Sequence, residues 1–338
     1  MSDPEAVAPA TEVRMKALAA DWIRAIRGKR SQALISRRLG YRSNVVYRWE
    51  AGVCFPSASI AFRLIDQCGG DVAAALEAFL PGPPDWLTSV DVTSPAGIAR
   101  LLTELRGRIP LQELSAATSL SRFAISRWLK GHAQPSLPEF LLLVDKTSMR
   151  LLDFVASFTD PAILPSVSEL WNRLVLSRKA AYEYPWSHAV LRSLELHQYG
   201  ALPSHQPSWI ADRLGISEGI ERESLDLLLS SGQARWNGTH YVPTNSTLID
   251  TRADPRRALG LKAWWTQLAL ERMTSGLPGL YSYNLCSVAK ADLERIVDLQ
   301  RKCFRQMTHI IANSTGSDHV VLYASQLLRL DSDSTRKA

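Results

Sequence analysis

Asn44 and Arg48 stand four residues apart, with Ser43, Val45 and Tyr47 around them and Arg42 just ahead. On a helix, positions i and i+4 share a face. The carboxamide of Asn44 suits adenine and the guanidinium of Arg48 suits guanine, each bidentate pair being worth about 1–3 kcal/mol of discrimination. Val45 can pack on a thymine methyl, Ser43 and Tyr47 can tune neighbouring positions, and Arg42 can hold a phosphate and set the register. A second set follows later in the chain: Ser121, Arg122, Phe123, Ser126, Arg127 and Lys130. The first set has the chemistry of an outward helix face directed at duplex DNA; the second is either another such head for a different sequence or a spacer that kept its core and lost that role.

The elements that must position them are repeated. Residues 31–56 (SQALISRRLGYRSNVVYRWEAGVCFP) align without a gap on 110–135 (PLQELSAATSLSRFAISRWLKGHAQP). Arg48-Trp49 falls on Arg127-Trp128, Gly52 on Gly131 and Pro56-Ser57 on Pro135-Ser136, a constant offset of 79. The offset extends upstream to Arg27-Gly28 over Arg106-Gly107 and downstream to Phe79 over Phe158. This is an internal duplication. In the first copy Ser31 caps a short helix with Leu34, Ile35 and Leu39 as its expected buried face, and Gly40 ends it. The next helix, 43–51, turns Val46 and Trp49 inward and leaves Ser43, Asn44, Tyr47 and Arg48 outward. A helix over 12–27 packs on this pair, and helices over 57–67 and 71–79 close a five-helix domain.

The Ser31-Gln32 start, the Arg37-Arg38-Leu39-Gly40 turn, the Arg48-Trp49-Glu50 end with Gly52, and Pro56 resemble the phage-repressor (Cro/repressor) type of helix-turn-helix found in transcription regulators. The resemblance implies that the helix at 43–51 enters the major groove and that Gln32 grips a phosphate. The second copy departs from the pattern: Pro110 replaces Ser31, Leu111 replaces Gln32, Ser119 replaces Gly40 and Leu129 replaces Glu50. Because the two outward faces differ in chemistry, they are not expected to read the same base steps. A single chain would then not mimic a symmetric dimer on a palindrome.

The expected fold is mainly α: two tandem five-helix repressor-type helix-turn-helix domains, a winged-helix-like segment, and a small α+β C-terminal subdomain. The boundaries are a structureless tail at 1–11, domains at 12–80 and 94–160 joined by a Pro/Gly-rich linker at 81–93, a winged-helix-like domain at 165–250, a subdomain at 255–330, and a loose tail at 331–338. In the winged-helix-like part, helices over 208–217 and 218–230 precede a hairpin turning at Asn237-Gly238. Glu218, Glu221, Glu223 and Asp226 would repel a phosphate backbone, so this part is expected to be a scaffold. In the subdomain, strands over 281–288 and 319–328 flank a helix over 291–313, and this half is expected to hold a homodimer. Residues 165–330 resemble the uncharacterised C-terminal domain of a bacterial regulator family, through His188-Ala-Val-Leu, Trp209-Ile-Ala-Asp-Arg-Leu and Tyr241-Val-Pro-Thr. That family carries one helix-turn-helix, so the second copy is a departure, and the resemblance implies no ligand or reaction.

The totals fit this reading. With 338 residues, 46% hydrophobic and 21% charged, the chain can build two to three folded domains. No apolar run approaches the ~20 residues of a membrane span, and the N-terminus lacks a leader pattern, so a cytoplasmic, nucleoid-associated place is expected. The net charge of +6 is concentrated: residues 12–80 hold eleven Lys/Arg against six Asp/Glu. Cys54, Cys68, Cys286 and Cys303 show no metal-ligand spacing and read as buried free thiols. No phosphate-binding loop, nucleophile elbow, zinc-protease or dinucleotide motif occurs, and the seven histidines are scattered. No enzyme activity, cofactor or metal is therefore expected. The expected function is a sequence-specific regulator of transcription, a repressor by family analogy, with double-stranded DNA as partner. The alternative is an interaction module that binds a protein, or DNA non-specifically, in a stress or phage-defence system. A ligand sensor around Trp264-Trp265 is a third idea, resting on aromatic density alone.

Overall fold

Each copy of the duplication folds into five helices. In the computed structural model, which describes residues 4–80, 84–244, 254–312, 314 and 316–331, the first copy comprises α1 (Pro4–Arg27), α2 (Gln32–Arg38), α3 (Val45–Glu50), α4 (Ala58–Gln67) and α5 (Val72–Phe79). The second comprises α6 (Pro95–Arg106), α7 (Leu111–Thr118), α8 (Arg122–Leu129), α9 (Leu137–Ser148) and α10 (Leu151–Ala156). Local chemistry sets the ends. The hydroxyls of Ser31, Ser57 and Ser94 accept from the backbone N–H three residues on, and Asp71 caps α5 in the same way. Gly40 leaves α2 with φ +88°, a left-handed turn that glycine adopts without cost. Its counterpart Ser119 takes the same region at φ +58° with a side chain attached.

The ten helices share one core. Trp22, Phe62, Phe140 and Phe154 are fully buried in it, and Phe62 packs edge-on against Phe140 at 5.5 Å. The stretch between the copies joins this core, because Leu87 and Val92 are buried and Asp85–Thr88 forms a 3-10 turn. The expected free linker is thus packed over 84–93, while 81–83 lie outside the described residues. Two further expectations change. The tail at 1–11 is helical from Pro4, and Leu34 is 38% exposed, while Ile35 and Leu39 are buried as expected and Ser36 is buried with them.

The chain divides into two compact units at Leu174 and Val175, a point within α11 (Ser168–Glu183). The second unit holds α12 (Pro185–Ser193), α13 (His197–Gly200), α14 (Trp209–Leu214) and α15 (Glu218–Ser230). After them come β1 (Ala234–Trp236), β2 (Tyr241–Pro243), α16 (Pro255–Thr274) and α17 (Lys290–Ala312). Its core is built from Val190, Leu191, Tyr199, Ile210, Leu225 and Leu228. The hairpin is antiparallel, with Arg235 opposite Val242 and Trp236 opposite Tyr241. Its turn is centred one residue later than the sequence suggested. Asn237 N donates to His240 O at 3.0 Å, Asn237 Oδ1 accepts from His240 N at 2.8 Å, and Gly238 supplies φ +104°.

The helical part of the expected α+β subdomain is present as α17. Among the described residues, neither 281–288 nor 319–328 forms a ladder. A β-patterned segment becomes a strand only when a neighbour takes its backbone donors and acceptors. Here the alternating apolar side chains have no covering layer: Tyr283, Leu285, Val321 and Leu328 are 72–91% exposed. Among the described residues, no helix is long and apolar enough to cross a membrane.

Candidate nucleic-acid interface

Trp49 and Val46 anchor α3, at 3% and 0% exposure, with the Trp49 ring edge-on to Tyr41 at 5.7 Å. Glu50, the last residue of α3, is buried and serves as a clamp. Arg27 of α1 donates from Nε to Oε1 at 2.5 Å and from Nη2 to Oε2 at 3.1 Å, and Gln32 Nε2 donates to Oε2 at 2.7 Å. Arg24 adds a bond to the Glu50 carbonyl at 2.8 Å. The helix is therefore held from both ends of its inner face. Arg42, Ser43, Asn44, Tyr47 and Arg48 are left exposed, and Val45 is half-buried against the core.

This geometry gives two of these side chains a structural duty. Gln32, expected on a phosphate, spends one amide N–H on Glu50. Asn44, expected to pair with adenine through both ends of its carboxamide, caps α3: Oδ1 accepts from Tyr47 N at 3.4 Å and from Ser36 Oγ at 3.3 Å. Arg48 has no such duty. Its guanidinium projects from a helix whose backbone is fixed beneath it.

In the second copy, α8 buries Ile125 and Trp128 and exposes Ser121, Arg122, Phe123, Arg127 and Lys130, with Ser126 half-buried. Phe123 is 79% exposed, an apolar plate among cations. The clamp is gone, because Leu129 and Leu111 stand where Glu50 and Gln32 would be. Arg106, the counterpart of Arg27, turns its Nε to the Ile109 carbonyl at 2.8 Å.

In the second unit α15 presents Glu218, Glu223 and Asp226 outward, but Glu221 is buried. Its Oε2 accepts from Ala211 N at 2.6 Å, and its Oε1 lies 3.9 Å from His205 Nε2. His205 Nδ1 is 3.2 Å from Tyr199 Oη, which accepts from Tyr241 N on β2 at 3.2 Å. Burial pushes the Tyr199 phenol up to about 12, raises the Glu221 carboxyl and lowers the His205 imidazole. The chain of contacts ties the hairpin to α14 and α15. Sequence reasoning counted Glu221 among the outward carboxylates, although it precedes the inward Leu225 and Leu228 at i+4 and i+7. Trp264 and Trp265 pack edge-on against Trp186 at 5.3 and 6.0 Å. Their density is mutual packing.

It is this second unit that a family model recognises. Residues 168–330 match the family described as Domain of unknown function (DUF4423). The DUF4423 domain takes in α11 to α17 and the hairpin, and it leaves the duplicated ten helices outside, where no helix-turn-helix family model matches. No curated protein and no solved structure matches the chain.

Of the cysteines, Cys68 is buried, Cys54 and Cys303 are half-buried and Cys286 is exposed, so the expectation of buried thiols fails at Cys286.

Proposed function

We propose that the chain is a sequence-specific double-stranded DNA-binding transcriptional regulator, acting as a repressor, in which α2–α3 and α7–α8 are helix-turn-helix units. The observation that carries this reading is α3 itself. It is a short helix locked by a buried tryptophan and a buried carboxylate, and the exposed residues at its free face, Ser43, Asn44, Tyr47 and Arg48, are polar or basic. A helix fixed at its base is what discrimination between base pairs requires, since a contact misplaced by an ångström loses its bidentate geometry. Arg48 reads guanine, and Tyr47, Ser43 and Val45 shape the neighbouring positions. Arg42 holds phosphate, and Asn44 offers only its amide nitrogen while it caps the helix. On α8, Phe123 suits a thymine methyl, with Arg122, Arg127 and Lys130 on phosphates or guanine.

The DUF4423 domain takes the scaffold role. A second copy of the chain would cover the apolar residues of 277–330, where Leu280, Tyr283, Leu285, Ile310 and Leu330 are 69–100% exposed. Selection of bound sequences from random duplexes by the full-length chain tests the reading. An enriched motif that survives excess competitor DNA is the expected result; recovery of unenriched DNA would return the chain to the rival class of non-specific or protein-docking modules.

A further inference from the structure

Between the two copies the backbone forms an isolated antiparallel bridge, Ser57 opposite Ser136. Ala58 N donates to Pro135 O at 3.0 Å and Leu137 N donates to Pro56 O at 2.8 Å. An antiparallel pair has a local two-fold axis between the paired residues. Here the paired residues are also equivalent ones. Pro56 and Pro135, Ser57 and Ser136, Ala58 and Leu137 are each related by the offset of 79 that defines the duplication.

The helices obey the same relation. α1 packs on α9, and their counterparts α6 and α4 pack on each other. α4 also meets its own counterpart α9, and α5 meets α10. Within each copy, α1 on α3 is matched by α6 on α8, and α2 on α3 by α7 on α8. Phe62 against Phe140 and Phe158, and Phe79 against Phe154 at 5.3 Å, fill the space between the copies. Arg150 Nη1 bonds the Phe79 carbonyl at 2.7 Å across it. The two copies are not beads on a linker. They form a pseudo-dimer inside one chain, with α3 and α8 related by its axis.

We propose that one chain reads one DNA site with both helices, and that this site consists of two unlike half-sites in inverted orientation about one helical turn apart. The inference rests on α3 and α8 being DNA-reading helices. A sequence duplicated in tandem would ordinarily suggest direct repeats, but a two-fold relation turns one head around and demands inversion. The unlike faces, Tyr47 and Arg48 against Phe123 and Arg127, demand unlike halves. Spacing is bounded too. From Glu50 to the axis at Ser57 is seven residues, which at ~3.5 Å each reach no more than about 25 Å. With half of each helix added, the two heads lie within about 60 Å. That excludes half-sites two turns (about 70 Å) apart and admits one turn, ~34–36 Å.

The test uses the full-length chain and its selected site, with Arg48→Ala and Arg127→Ala prepared separately and their thermal unfolding compared with the parent to confirm the fold. The expected site is inverted and non-palindromic. Arg48→Ala loses protection on one half and Arg127→Ala on the other, and five base pairs inserted between the halves weaken binding at least about tenfold. A palindromic site indifferent to Arg127→Ala would overturn the inference while leaving the regulator intact, because two chains would then supply two first heads. A direct repeat would overturn it as well. Selection without any enriched sequence would remove the regulator reading and this inference together.

Discussion

Arg27 and Glu50 form a two-pronged ion pair beneath α3, with side chains only 16% and 6% exposed. The pair joins the long first helix to the end of the helix that carries Arg48, so it governs stability and the position of that helix. Removing one partner strands a buried charge, which typically costs 3–5 kcal/mol. Arg27 retains the Gly28 and Arg30 carbonyls as acceptors, which places Glu50→Ala near the lower end, at about 3 kcal/mol. Glu50→Leu, the residue found at the equivalent place in the second copy, fills the space and should cost less than Glu50→Ala. Chemical denaturation of the full chain orders the three; equal losses for the two variants would show that packing adds nothing.

Arg48→Ala and Arg42→Ala should fail differently. The first relaxes preference at one base pair by about 1–3 kcal/mol, and the second weakens all sequences evenly and lowers the salt slope by about one. Binding isotherms on specific and random duplexes at several salt concentrations separate them. Equal losses on both duplexes for Arg48→Ala would rule out base reading by that residue.

Ser119 adopts a left-handed conformation that costs an L-residue roughly 1–2 kcal/mol. Ser119→Gly should therefore stabilise the chain by about 0.5–1 kcal/mol once the extra freedom of glycine in the unfolded state is deducted. The mirror change, Gly40→Ala at φ +88°, should destabilise. A rise in melting temperature for the first and a fall for the second is the expected pair of results.

His188, partly buried on α12 near Arg192, has its imidazole lowered from 6.5 to about 4 by desolvation and by that neighbouring cation. The native state holds it neutral while the unfolded chain protonates it near 6.5. Its contribution is thus complete above pH 6.5 and is lost as pH falls toward 4. The loss is on the order of 2–3 kcal/mol. Glu221, whose carboxyl is raised, works in the opposite direction, since the folded state retains its proton more tightly than the unfolded chain. The difference in stability between the parent and His188→Leu across pH 4–7 isolates the histidine; a difference that does not change with pH would refute the assignment.

Leu285→Asp and Ile310→Asp lie on exposed apolar positions of the DUF4423 domain. If a second copy covers them, either change should convert a dimer in sedimentation equilibrium to a monomer with little change in helix content. A parent chain that sediments as a monomer at micromolar concentration would dispose of the dimer.

What the sequence disclosed follows from how its signals arise. Val46 and Trp49 were legible as inward because burial on a short helix leaves an i, i+3 mark. Glu50 was not, since a charged residue beside that mark reads as solvent-facing until its partners Arg27 and Gln32, 23 and 18 residues away, are in place. Glu221 was misread although its spacing to Leu225 and Leu228 marked it inward, because its charge outweighed its position. The β-like alternation at 281–288 predicted a strand but could not name a neighbour to pair with it. The Ser57–Ser136 bridge joins two segments 79 residues apart, and no local pattern announces it.

That bridge has a consequence for how such a chain can change over time. In an ordinary homodimer both reading surfaces come from one stretch of coding sequence, so every substitution strikes the two sides at once and the recognised DNA must stay palindromic. Here the sides are encoded separately while one backbone bridge joins them, and they differ: the clamping position holds glutamate on one side and leucine on the other. If α3 and α8 read DNA as proposed, covalent joining of this kind lets left and right hold different preferences without losing their grip on each other.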